Sequence, residues 1–99
     1  MREELEAALY GRLKIAFLEN WMFYPDSVYK SCTLIALDLI EQDKYPYDIV
    51  CAIIDEMGVS YNTNAKNIKK AIVEVMEANK REVEILIQKR KKSERISFD

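Results

Sequence analysis

The sequence contains no histidine. That absence removes Ser-His-Asp and Cys-His catalytic pairs, histidine metal ligands and histidine phosphorelay chemistry from this chain. Glycine and proline are scarce, two of each in 99 residues, where average usage gives about seven and five. So few turn-forming residues argue against a multi-strand sandwich or barrel, and two glycines cannot build a Gly-rich phosphate loop or a dinucleotide fingerprint. Cys32 and Cys51 sit among apolar neighbours at a spacing that fits no zinc or redox motif, and read as small core residues in a reducing cytoplasm. No apolar run approaches the ~18 residues needed to cross a bilayer. The opening residues, Met1 to Glu6, are acidic where a secretory signal is basic and then apolar, so a cytoplasmic protein without membrane contact is expected. The carboxylates Asp38, Glu41, Asp43, Asp55 and Glu56 lack the spacing of a calcium loop and read as a solvated acidic face. With no nucleophile, base pair or ligand set left, neither an enzyme nor a cofactor is expected.

What is present is a globular balance, 49% apolar and 32% charged, on a chain of one domain's length. The net charge of −2 hides a division. Residues 1–58 carry five Lys/Arg against eleven Asp/Glu, whereas residues 59–99 carry ten against six. The basic half concentrates its charge in Lys66, Lys69, Lys70 and again in Lys89, Arg90, Lys91, Lys92 and Arg95.

The apolar pattern predicts an all-α, compact four-helix domain with a long C-terminal helix. Leu5, Ala8, Leu9, Leu13, Ala16, Phe17 and Trp21 recur at helical spacing, so a first helix runs from residue 2 to about 22. Pro25 breaks it, and Asp26 or Ser27 supplies the side-chain oxygen to cap a second helix. The apolar face of that helix is Val28, Cys32, Ile35, Ala36, Leu39 and Ile40, and it ends near residues 41–44. Pro46 suits the first turn of a third helix, and Gly58 suits its left-handed terminator. Thr63 or Asn64 caps a fourth helix carrying Ile68, Ile72, Val75, Met76, Val83, Leu86 and Ile87, with Asn79 interrupting the stripe. Its second half, with Lys80, Arg81, Glu82 and Glu84, is polar enough to project from the core, which suits a homodimer through the C-terminal helix. Residues 1–92 then form the domain and 93–99 fray.

A short helix, a tight connector and a helix opening with clustered lysines form the arrangement that puts a helix into the DNA major groove. Lys66, Asn67, Lys69 and Lys70 fall on or near one solvent face, with Ile68, Ala71, Ile72 and Val75 inward. Lysine provides point charges for phosphates or guanine acceptors, and asparagine pairs two ways with adenine. An ordinary solvated helix face has the same pattern. The cluster Lys89, Arg90, Lys91 and Lys92 fits a phosphate-gripping arm or a solubilising tail equally well. Trp21, Phe23 and Tyr24 fit closure of a small core better than a partner-binding patch, and Tyr45, Tyr47 and Tyr61 fit half-buried packing better than phosphate contacts.

The segment Asp43, Lys44, Tyr45, Pro46, Tyr47, Asp48 and Ile49, followed by residues 61–77, resembles the helix-turn-helix of the C-terminal DNA-binding domain of the sporulation master response regulator family. Asn62, Thr63, Ala65, Ala71, Ile72 and Glu77 match the family pattern, and Ile68 and Met76 are conservative exchanges. The likeness covers about residues 28–78. It implies a positioning helix over 46–57, a recognition helix over 64–78, double-stranded DNA as the partner, and Asn64, Lys66, Asn67, Lys69 and Lys70 at DNA-facing positions. Asn67 stands where the family has Arg, Lys69 where it has Glu, and Val73 where a basic residue is common, so the base preference is not expected to carry over. No receiver domain precedes the likeness, so phosphorylation control of the family type is not expected. The expectation is a small bacterial or phage-type transcription regulator that binds DNA through Thr63, Asn64, Lys66, Asn67, Lys69 and Lys70, aided by residues 89–92. The rival is a protein-binding adaptor or inhibitor that uses the acidic first half or the helix around Val83 and Leu86.

Overall fold

Leucines and a phenylalanine four residues apart, Leu5, Leu9, Leu13 and Phe17, make one continuous stripe on the first helix, and all four are buried. The structure, a computed structural model, describes residues 2–58 and 64–96. Among them the helices are α1 (Arg2–Glu19), α2 (Asp26–Glu41), α3 (Pro46–Met57), α4 (Asn64–Ala78) and α5 (Lys80–Ile96), and no strand occurs. The all-α class is as the apolar periodicity requires. The helix count is five rather than four.

α1 packs antiparallel to both α2 and α4. On one side Arg2 pairs with Glu41 and Phe17 stacks on Tyr29 at 5.6 Å between ring centroids. On the other, Arg12 meets Glu74 at 2.7 Å and Asn20 meets Asn67 at 3.0 Å. α3 crosses between α2 and α4, and its Ile49, Val50, Ile53 and Ile54 complete the core. Each fully buried Leu, Ile or Phe contributes about 1.5–3 kcal/mol through removal from water.

The three helix ends differ in how well the sequence announces them. α3 begins with Pro46 in its first turn and ends at Gly58, φ 69°, as its two punctuating residues dictate. α2 ends with Asp43 at φ 61°, where the Asp43 N–H reaches the Ile40 carbonyl and the Lys44 N–H the Leu39 carbonyl. α1 ends in the same double-bonded turn, but the left-handed residue is Trp21, φ 60°, with bonds from Trp21 to Leu18 and from Met22 to Phe17. A bulky residue in this conformation costs about 1–2 kcal/mol. The helix therefore stops three residues before the expected boundary, and Trp21 leaves the buried stripe.

The α2 start also differs from expectation. Its N-cap is Pro25 and makes no side-chain cap bond; Asp26 is the first helical residue. The Asp26 carboxylate accepts a hydrogen bond from the Tyr10 hydroxyl and pairs with Lys30 and Lys14, at 3.3 and 3.6 Å. These partners, the Tyr10 bond foremost, hold its carboxyl below the usual range. The buried face of α2 is rotated from the predicted one. Tyr29, Thr33 and Leu37 join Cys32, Ala36 and Ile40, while Val28, Ile35 and Leu39 are only partly buried. Thr33 is accommodated because its hydroxyl donates to the Tyr29 carbonyl at 2.8 Å. Both cysteines are free; Cys32 is buried, which pushes its thiol up to about 11, and Cys51 is half-buried.

The predicted single long C-terminal helix is two. Asn79 separates α4 from α5, and its side-chain amide donates to the Val75 carbonyl that also accepts its backbone N–H. The second helix does not project freely from the core. Val83, Leu86 and Ile87 are buried, continuing the apolar stripe of α4, and Arg90 reaches Asp38 of α2 at 2.8 Å. α5 stays helical to Ile96, past the expected start of fraying at 93.

Candidate nucleic-acid interface

The inner face of α4 consists of Ala65, Ile68, Ala71, Ile72 and Val75, all buried. With that face held by α1 and α3, the residues in between must point outward. Lys66, Asn67, Lys69 and Lys70 are all exposed, with Val73 half-buried further along the helix. Thr63 lies outside the described residues, as does the side chain of Asn64, so the choice of cap between them does too.

The lysines of this face differ from six of the other basic side chains in the molecule. Arg2, Arg12, Lys14, Lys30, Arg90 and Lys91 each lie within 4.0 Å of a carboxylate. Lys66, Lys69 and Lys70 have no such partner among the described residues. Asn67 is partly committed, since its amide nitrogen donates to Asn20 Oδ1 at 3.0 Å and so ties the opening of α4 to the end of α1.

The second basic cluster is divided. Arg90 lies 2.8 Å from Asp38, 3.6 Å from Glu41 and 3.5 Å from Glu94. The Asp38 bond, followed by the other carboxylates, holds the guanidinium above its usual pKa. Lys91 lies 3.7 Å from Asp43. Lys89 and Lys92 are exposed and line an open groove on α5 with Arg81, Glu84, Ile85 and Gln88. The acidic cluster at the end of α2 is thus a partner for cations of its own chain, and no group of three potential metal ligands occurs among the described residues. The two basic clusters lie on different helices, on either side of the break at Asn79.

The aromatic residues of this surface depart from what the sequence predicts. Trp21 is 81% and Phe23 66% exposed, so they do not close the core; of the three, only Tyr24 packs against it. Tyr45 and Tyr47 are also exposed rather than half-buried, and Tyr61 lies outside the described residues. No local signal marks Trp21 as outward, because its direction follows from a left-handed turn that glycine usually makes. No protein-family model, curated protein or solved structure matches the chain. None of the described helices is long and apolar enough to cross a membrane.

Proposed function

We propose that the chain is a small, non-enzymatic DNA-binding regulator of transcription that lays the outer face of α4 in the major groove of double-stranded DNA, with α3 as the positioning helix. The observation that carries this reading is the set Lys66, Lys69 and Lys70: three exposed ammonium groups clustered on one helix face, without carboxylate partners among the described residues, whereas six other cations of the chain are paired internally. Three uncompensated cations at the start of a helix attract phosphate, and the positive end of the helix dipole adds to that field. Lys89 and Lys92 are the members of the second cluster available for phosphate, since using Arg90 or Lys91 would break ion pairs to α2. The resemblance of residues 43–77 to the sporulation regulator effector domain agrees with this assignment of roles. A cytoplasmic bacterial or phage setting and a homodimer belong to the same reading.

Fluorescence anisotropy on a labelled random-sequence duplex, at low and moderate salt, tests it. Affinity that falls steeply with salt supports phosphate contacts by α4. Absence of binding at low salt would overturn the reading. The rival reading, a protein-binding adaptor, is favoured by one observation, the exposed Ile15 and Leu18 on the outer face of α1. In its version that uses the helix around Val83 and Leu86, both of these side chains are buried, so a partner would meet the outer face of α5 instead.

A further inference from the structure

The α1–α2 connector holds an aromatic pair outward. Trp21 and Phe23 meet edge to face with centroids 6.2 Å apart, and they are among the most exposed apolar side chains among the described residues. Their direction is fixed by Met22 and Tyr24, which alternate with them in the chain. The buried Tyr29 hydroxyl donates to the Met22 carbonyl and accepts the Tyr24 N–H, both at 3.0 Å. Met22 and Tyr24 therefore turn inward against the core, and in this alternating stretch Trp21 and Phe23 are left outside. The chain keeps Trp at a left-handed position where glycine is less strained, and the indole gives no core packing in return.

The neighbourhood reaches the lysine-bearing helix. Asn20, the residue before Trp21, is bonded to Asn67 in the second turn of α4, which sets the pair beside the end of the helix that carries Lys66, Lys69 and Lys70. Ile15 and Leu18 lie further back on α1 and are less exposed, 45% and 40%, so the strongly exposed part of this surface is the aromatic pair at the lysine end. Exposed planar rings on a connector tied to the opening of a helix that carries unpaired lysines combine the two elements by which proteins hold unpaired nucleotides, a stacking surface and a phosphate field.

We infer that Trp21 and Phe23 form a base-stacking platform that extends the α4 surface and takes an unpaired base flanking the bound duplex. The inference rests on the DNA-binding reading above and deepens it. Trp21 is the sole tryptophan, so its emission reports directly on the platform.

The experiment titrates the full chain with a labelled blunt duplex and with the same duplex bearing a short single-stranded thymine tail, following anisotropy and Trp21 emission together. The tail is expected to tighten binding roughly tenfold and to quench Trp21. Trp21→Gly is expected to abolish the gain from the tail while raising Tm by about 4 °C, since glycine relieves the left-handed strain. Trp21→Phe, which keeps a ring, should retain most of the gain. A purely structural Trp21 would give the opposite for Trp21→Gly: lower stability and unchanged preference. Equal affinity for blunt and tailed duplexes with unquenched Trp21 would overturn the platform and leave the α4 reading standing. No binding of either probe at low salt would remove the α4 reading and the platform with it. A shift of Trp21 emission on raising protein concentration without DNA would assign the pair to a second copy of the chain and overturn the inference.

Discussion

The two lysine-rich clusters look alike along the sequence and differ in the folded chain. At the start of α4, Lys66, Lys69 and Lys70 face solvent with no carboxylate partner among the described residues. On α5, Arg90 and Lys91 are drawn onto the acidic end of α2, at Asp38, Glu41 and Asp43. The difference teaches that a basic run is a binding surface only where the rest of the chain leaves its charge uncompensated.

The largest test of that contrast is charge reversal in each cluster. Lys69→Glu with Lys70→Glu is expected to weaken duplex binding by about a hundredfold or more with helicity and Tm unchanged. Arg90→Glu with Lys91→Glu should instead lower Tm, because it places acids against Asp38, Glu41 and Asp43, and should change DNA affinity far less. Anisotropy and thermal melts on both variants decide it; similar losses of affinity would erase the distinction.

Salt dependence sharpens the same comparison by counting contacts. If α4 neutralises three phosphates, affinity should fall roughly 40-fold on going from 50 to 200 mM salt, from the slope of about −0.9 per phosphate. Engagement of all seven basic residues of the two clusters would give a fall of several thousand-fold. A smaller effect is expected for Arg90→Ala, an exposed ion-pair change that should lower Tm slightly and leave affinity within about twofold.

The smallest concerns acid. The folded carboxyl of Asp26 is depressed, so its contribution is present above the unfolded value of 3.8 and is lost as pH falls through the lower folded value. Thermal melts should thus show part of the acid loss missing in Asp26→Asn, and no change in DNA binding at neutral pH.

How much was legible in advance follows from the range of the interactions. α3 carries both its own boundaries, Pro46 and Gly58, and its apolar residues at helical spacing, so its extent could be read directly. The inward and outward faces of α4 were equally legible from periodicity. The end of α1 was not, because Trp21 adopts a backbone conformation that its own chemistry disfavours. The α4–α5 break was only half visible at Asn79, which interrupts the apolar stripe without announcing that the next turns pack on α2. The pairing of Arg90 with Asp38 joins residues 52 apart in the chain, and no local pattern encodes it.

By itself the sequence determined the helical class, the absence of histidine chemistry, the core face of α4 and the three lysines opposite it, since periodicity and composition are local properties. Only the tertiary structure decided which cations stay uncompensated and which aromatics stay outside, because charge neutralisation and burial depend on what the fold brings alongside.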